Sequence, residues 1–318
     1  MSAAGTALPQ APWAVALMGP TASGKTTLAM DLARHVPLEI ISADSAQIFR
    51  GLDVGTAKPT LAQREAVPHH LLDVVTPFDA YSMARFQEDA TTAIAAVLER
   101  GRVPLVVGGT LMYVKTLEQG LTALPGADEA LRARLRHEAH AMGLDFLHQR
   151  LARCDPQSAA RIHPHDAQRI ERALEVFELT GKPLSAWHEQ GAGQGRVRLV
   201  KLGLWPVQRA DLHRRVRERL GEMMRAGWFE EAAGFYHDPR FHQGLPAARL
   251  IGYRQLWPCF AGHVTRERAV ADVARASNAL VRRQLTLLRA WPGVDWFAAE
   301  GGNLPQRLLQ HPVWSQVA

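Results

Sequence analysis

Cysteine is scarce: Cys154 and Cys259 are the only two in 318 residues. That excludes a disulfide framework and a four-cysteine zinc site. Both thiols are expected to be reduced and structural, in a cytoplasmic protein. Long apolar runs are also missing. Stretches such as Ala14–Met18 and Val103–Val107 fall far short of the roughly 20 residues that span a bilayer. No charged start followed by an apolar run marks a signal peptide. No internal repeat and no low-complexity block is found. With 47% hydrophobic and 21% charged residues, the chain reads as globular, long enough for one large domain or two smaller ones.

Charge is present but uneven. The net charge is +6, yet residues 1–120 hold 9 Lys and Arg against 11 Asp and Glu, while residues 201–300 hold 16 against 10. A basic C-terminal third fits a polyanionic partner; it equally fits a solvated basic surface.

Residues 1–12 are rich in Ala and Pro and are expected to be disordered. An apolar strand, Ala14–Met18, then runs into a Gly-rich turn and a helix from Lys25 to about His35. A second strand, Leu38–Ala43, ends at Asp44. Ser82–Glu99 has helical spacing with Ser82 as N-cap, and Val103–Val107 is a third strand. Strand, turn and helix in this alternation predict an α/β fold: a P-loop NTPase-like parallel sheet core. Leu124-Pro125-Gly126 breaks the pattern, residues 128–180 read as helical, and the Gly-rich stretch Gly191–Gly195 closes that section. The expected organisation is a core of residues 1–121 and 201–318, with an all-helical insertion at 122–200. A strand is expected at Val197–Trp205 and helices at 207–226 and 265–290.

Gly19-Pro20-Thr21-Ala22-Ser23-Gly24-Lys25-Thr26 fits the phosphate-loop pattern G-x-x-x-x-G-K-[ST], between a strand and a helix as that pattern requires. Backbone N–H groups and the helix N-terminus face a phosphate. Lys25 brings a point charge, and Thr26 offers a hydroxyl to Mg²⁺. The loop implies a diphosphate or triphosphate, not hydrolysis. Asp44 ends a buried strand, at the edge where open α/β sheets bind ligands. It suits a general base, a Mg²⁺ partner or an N-cap alike. Gly108-Gly109-Thr110 ends the next strand at the same edge, and Thr110 offers a hydroxyl or caps the following helix. No apolar strand ends in the aspartate that ATPases place near Mg²⁺. His69 and His70 are adjacent, which suits a hydrogen-bonding role better than one shared metal.

The phosphate loop, Ile41-Ser42-Ala43-Asp44-Ser45-Ala46-Gln47, Gly51–Pro59, Pro68–Asp73, Val107–Thr110, Arg161–Pro164, Arg172–Val176, Gly252–Gln255 and Arg283–Thr286 together resemble the tRNA dimethylallyltransferase family, also called tRNA isopentenyltransferases. The likeness covers about residues 14–290. It implies transfer of a dimethylallyl group from dimethylallyl diphosphate to N6 of adenosine 37 of tRNA, beside the anticodon. It implies Mg²⁺ as cofactor, the anticodon stem-loop as partner, and a monomer. Asp44 becomes the base, with Thr110 and Arg219 beside it; Arg215, one turn before Arg219, is the alternative. Carried over by resemblance, tRNA contacts fall on Asp44, Ser45, Ala46, Gln47, Thr110, Arg132, Gln168, Arg169, Ile170, Glu171 and Arg172. They continue on Arg249, Gly252, Tyr253, Arg254, Arg282, Arg283, Gln284 and Arg289. Phe49, His165 and Leu287 depart from the usual Tyr, Asn and Trp. Three further readings compete: a small-molecule kinase using Asp44 as base, a non-catalytic RNA-binding protein, and prenyl transfer to a free adenine nucleotide, against which the basic C-terminal third and the insertion favour tRNA. Intact Lys25, Thr26 and Asp44 argue against the second.

Overall fold

The computed structural model describes residues 12–122, 124–189, 195, 197–206, 208–300 and 302–316. The expectation for residues 1–12, Pro12 excepted, and the Gly-rich stretch before Gly195 lie outside the described residues. In chain order the first elements are β1 (Trp13–Met18), α1 (Lys25–Leu32), β2 (Leu38–Ser42), α2 (Leu61–Ala66), β3 (His69–His70), α3 (Met83–Glu99), β4 (Val103–Val107) and α4 (Leu111–Gln119). Five helices follow: α5 (Glu129–Met142), α6 (Leu144–Cys154), α7 (Pro156–Arg161), α8 (Ala167–Thr180) and α9 (Leu184–Glu189). The chain then returns through β5 (Arg198–Trp205), α10 (Arg209–Arg225), α11 (Trp228–Tyr236), α12 (Trp257–Phe260), α13 (Arg266–Arg289), β6 (Val294–Ala298) and α14 (Leu304–Leu309).

Two compact units result: Met1–Glu118 with Arg196–Ala318, and Gln119–Gly195. The first contains a six-stranded parallel sheet in the order β3-β2-β4-β1-β5-β6. β2 and β4 are buried at every position, as parallel strands covered on both faces must be. One face carries Val15, Leu17, Leu105, Leu202 and Leu204 with Leu28 and Leu32 of α1. The other carries Ala14, Ala16, Met18, Ile41 and Val106 with Phe86 and Ile94 of α3. A third core gathers Leu212, Val216 and Leu220 of α10, Trp228, Tyr253, Trp257, and Val281 and Leu285 of α13. Ser82 caps α3 by accepting from Arg85 N, as its spacing predicts.

β5 opens at Arg198, whose N donates to the Pro12 carbonyl at 2.8 Å, and pairs with β1 from the Trp13↔Arg198 register onward. Residues 198–200, expected within the insertion, therefore belong to the sheet.

The second unit is helical. Asp128, Asp155 and Asp166 cap α5, α7 and α8, and Leu135, Leu147, Leu151, Ile170 and Leu174 form its core. Glu175 is fully buried there. It accepts from Arg132 Nε at 2.8 Å, Arg172 Nη1 at 2.6 Å and Asp128 N at 2.9 Å. Burial opposes its charge, but these donors outweigh burial and hold its pKa below the ordinary carboxylate value. A buried charge paired this way is stable only while its partners stay in place.

Candidate active site

The phosphate loop lies between β1 and α1. Lys25 is buried and folds back across the loop, its Nζ donating to the Gly19 carbonyl at 2.9 Å and the Pro20 carbonyl at 2.7 Å. Burial, joined by the positive charge of Arg219 and opposed by Asp44, lowers its pKa to about 8. Thr26 and Thr27 are exposed and line a cavity of 490 Å³ with the loop. Gln284 of α13 holds the loop from outside. Its side-chain oxygen accepts from Thr21 N at 2.9 Å, and its Nε2 donates to the Gly109 carbonyl at 2.8 Å.

Asp44 follows β2 and lines the same cavity. Its Oδ1 accepts from Ala46 N at 2.9 Å, the short-range turn typical of Asp. The side chain of Thr110 is engaged by Ser45, not by α4, among the described residues. Its Oγ1 accepts from Ser45 N at 3.0 Å and donates to Ser45 Oγ at 3.1 Å, so it fixes the turn that carries Asp44. A Cβ on Gly108 would lie 2.1 Å from the Ala43 carbonyl oxygen. The close approach expected of this glycine is therefore to the backbone leaving β2. Tyr113 is stacked on Phe86 at 3.8 Å; burial, with the charge of Asp44, pushes its hydroxyl up to about 12.

α10 supplies a further part of the lining. Arg215, Arg219 and Glu222 all line the cavity, so the two arginines offered as alternatives both reach it. Their spacings of four and three put all three on one helix face. Burial lowers the pKa of Arg219, against the pull of Asp44 and Glu222. No hydrogen bond engages its guanidinium among the described residues. Arg215 approaches Glu300 at 3.9 Å.

The expected RNA contacts divide sharply. Arg249, Arg254, Arg282, Arg283 and Arg289 are exposed in the first unit, and Gln168 and Arg169 in the second. Others are consumed internally. Ile170 and Tyr253 are wholly buried, and Gly252 is also inside. Gln284 is spent on the phosphate loop. Arg132 and Arg172 hold Glu175, and Glu171 is half-buried beside Arg132. Gln47 accepts from Ser42 Oγ at 3.0 Å and donates to the Ala57 carbonyl at 3.1 Å. Ser45 and Ala46 stay partly open beside Asp44.

Glu231 is the residue that sequence reasoning missed. Its carboxylate accepts from Asp53 N at 2.6 Å, Val54 N at 2.8 Å, Gly55 N at 2.9 Å and the Tyr253 hydroxyl at 2.5 Å. The Gly51–Pro59 block is therefore wrapped around an acid from α11. Lys58 is the other anchor. It donates to the Phe49 carbonyl and Asp73 Oδ1, both at 2.7 Å, and to Asp53. His70 contacts Glu39 Oε2 at 2.6 Å and His69 Nδ1 contacts the Val67 carbonyl at 2.7 Å, so the adjacent histidines serve separate hydrogen bonds.

A phosphate loop that shares a cavity with two arginines is chemistry that many enzymes share; the wrapped block from Ile41 to Pro59 is more particular, and similarity to known proteins follows it. A model of the IPP transferase family matches residues 47–291, and one of isopentenyl transferase matches residues 13–73. The chain is 48% identical over 307 residues to the tRNA dimethylallyltransferase of Alkalilimnicola ehrlichii, covering 94% of this chain and 96% of that one. It is 46% identical over 284 residues to the tRNA dimethylallyltransferase of Legionella pneumophila, covering 89% and 91%. The full-length tRNA isopentenylpyrophosphate transferase of Bacillus halodurans aligns with a TM-score of 0.68 at 35% identity, over 96% of this chain and 95% of its own. A eukaryotic dimethylallyltransferase, 24% identical, shares the fold with a TM-score of 0.76 over 93% of this chain and 77% of its own. With the family match running through the loop, the aspartate turn and both arginines, the chain belongs to the IPP transferase family.

Proposed function

We propose that the protein transfers a dimethylallyl group from dimethylallyl diphosphate to N6 of adenosine 37 of tRNA, releasing diphosphate. One observation carries the reading: Asp44, the phosphate loop, Arg215 and Arg219 all line one cavity. The diphosphate lies against the loop amides and Lys25, with Arg219 across from them. As the allylic C–O bond breaks, its electron pair leaves with the diphosphate. The N6 lone pair forms the new C–N bond, and the N6 proton passes to the Asp44 carboxylate. A leaving group that gains charge is stabilised most by fixed cations and N–H donors. Thr110 positions the aspartate through Ser45 rather than touching the reacting atoms.

Mg²⁺ fits the donor set. The hydroxyl of Thr26 and the carboxylates of Asp44 and Glu222 are oxygen donors at the cavity, and this hard ion favours one or two carboxylates plus phosphate oxygens over a full protein cage. When bound it would add positive charge at the diphosphate. The protein is proposed to act in the cytoplasm as a monomer; no described helix is long and apolar enough to cross a membrane.

The test combines purified protein, Mg²⁺, labelled dimethylallyl diphosphate and an unmodified anticodon stem-loop with adenosine at position 37. Label should enter the RNA and be lost with Asp44→Ala. Label entering AMP but not RNA would move the activity to a free nucleotide. ATP consumption without prenyl transfer would mean a kinase.

A further inference from the structure

A second cavity, of 390 Å³, lies at the sheet edge, lined by Trp205, Arg289, Trp296, Phe297 and Ala298. We infer that its two indoles form a stacking corner for an unpaired base of the substrate RNA, beside the base that enters the active site. The inference rests on the tRNA reading above and deepens it.

The corner is built rather than incidental. β6 is an edge strand, paired with β5 alone among the described residues. Edge strands usually carry charge or proline to blunt them; this one has Asp295, yet it also exposes 38% of Trp296. Trp296 stands opposite Gly203 in the ladder. A Cβ on Gly203 would lie 2.3 Å from Trp296 Cε3, so the glycine is what allows the indole to lie down across β5. There it meets Trp205 nearly at a right angle, with ring centroids 5.3 Å apart and planes 81° apart. The guanidinium of Arg289 sits 5.7 Å from the Trp205 ring.

Charge selects the occupant. Arg282, Arg283 and Arg289 are all exposed on α13, Arg282 and Arg289 two turns apart on one face, and none has an ion-pair partner among the described residues. Aromatic faces beside unpaired arginines are the components of single-strand binding: bases stack on the rings while the cations meet the backbone. The same helix carries Gln284, which holds the phosphate loop. At 1.5 Å per residue, Arg289 lies about 7.5 Å further along α13. A nucleotide on the corner would thus anchor the loop of the RNA close to the reacting centre, offsetting part of the cost of extruding the target base.

The test uses the full chain and the same stem-loop. Trp296→Ala should weaken stem-loop binding roughly 5- to 150-fold, the range for loss of one stacked base, with pyrophosphate binding unchanged. Trp296→Phe should restore most of the affinity. The salt dependence should keep its slope in Trp296→Ala and become shallower in Arg289→Ala, since only the latter removes a phosphate contact. An abasic scan of the loop should find one position at which wild type and Trp296→Ala bind alike. Equal affinity of Trp296→Ala and wild type for the intact stem-loop, in a protein that still prenylates it, overturns the corner alone. A wild-type protein that neither binds nor labels the stem-loop overturns the tRNA reading itself. A shift from dimer to monomer on Trp296→Ala, seen by sedimentation, would mean that a second copy occupies the cavity and would also overturn the inference.

Discussion

Replacing Glu231 tests whether the Gly51–Pro59 block is held from α11. Four donors converge on its carboxylate: the amides of residues 53, 54 and 55 and the Tyr253 hydroxyl. The Asp53 amide is exposed enough for water to replace the acid, which leaves the two part-buried amides and the fully buried tyrosine. Burial and the nearby acid push the Tyr253 pKa up, so its hydroxyl stays protonated and needs an acceptor. A buried donor left unsatisfied costs about 1–3 kcal/mol; three at the lower half of that range give about 3–6 kcal/mol. At roughly 2 °C per kcal/mol for a chain of this size, Glu231→Gln should lower the melting temperature by about 6–12 °C. Glutamine keeps one acceptor but turns an NH₂ group toward the amides, so it should be little better than alanine. The neighbouring exposed Glu230 is the control, and Glu230→Gln should stay within about 0.5 kcal/mol of wild type. The assay is thermal unfolding followed by tryptophan fluorescence. A Glu231→Gln melt within 2 °C of wild type would refute the reasoning, because it would mean that water serves those donors equally well.

Arg219→Ala should cut the rate of prenyl transfer by about 10²–10³ with an unchanged melting temperature, since no described residue hydrogen-bonds its guanidinium; equal losses in rate and stability would contradict this. Lys25, with its pKa lowered to about 8 by burial, should lose its proton as pH rises through that value. Pyrophosphate affinity is then full below about pH 7 and falls toward tenfold per pH unit above 8, whereas Lys25→Arg, which does not titrate there, should give a flatter profile by calorimetry. Gln284→Ala should raise the KM for dimethylallyl diphosphate more than it lowers kcat, because it frees Thr21 N and the Gly109 carbonyl rather than removing a group that touches the reacting atoms. Steady-state kinetics separates the two effects.

What could be read from the sequence was what the chain encodes locally. The phosphate loop is eight consecutive residues between an apolar strand and a helix, so motif and context stand together. Asp44 followed from its place after a buried strand, and Ser82 from its place before a periodic one. The rest depends on contacts across long separations. Glu231 is 178 residues from Asp53, and Gln284 is 263 from Thr21; nothing near either residue advertises its partner. β3 is two residues long, too short for a periodicity to emerge, and β6 carries Asp295 and has no fully buried position, unlike the apolar runs of β2 and β4. The RNA contacts were carried over as contiguous segments, but helices and turns bury part of any segment. Arg169 faces outward where Ile170 is fully buried, and Arg254 is exposed where Tyr253 is not. Resemblance supplied the segments, and packing decided which side chains within them remain available.

The missing strand-end aspartate has a steric reason and a chemical consequence. ATPases place that acid beside the metal at the end of a sheet strand. Here the position after β4 is Gly108, and the Ala43 backbone passes so close that a Cβ there would overlap its carbonyl. No carboxylate can stand at that point unless β2 and β4 separate. The acid at this edge is instead Asp44, one strand over, on a turn fixed by Thr110 through Ser45. Meanwhile α10 brings Arg215 and Arg219 to the cavity that the loop lines. A phosphate loop that loses an acid and gains two arginines is better suited to holding an anion that departs than to activating water against one that stays. On the proposed reading, that shift in charge, more than the loop itself, is what suits the site to transferring the group attached to a diphosphate.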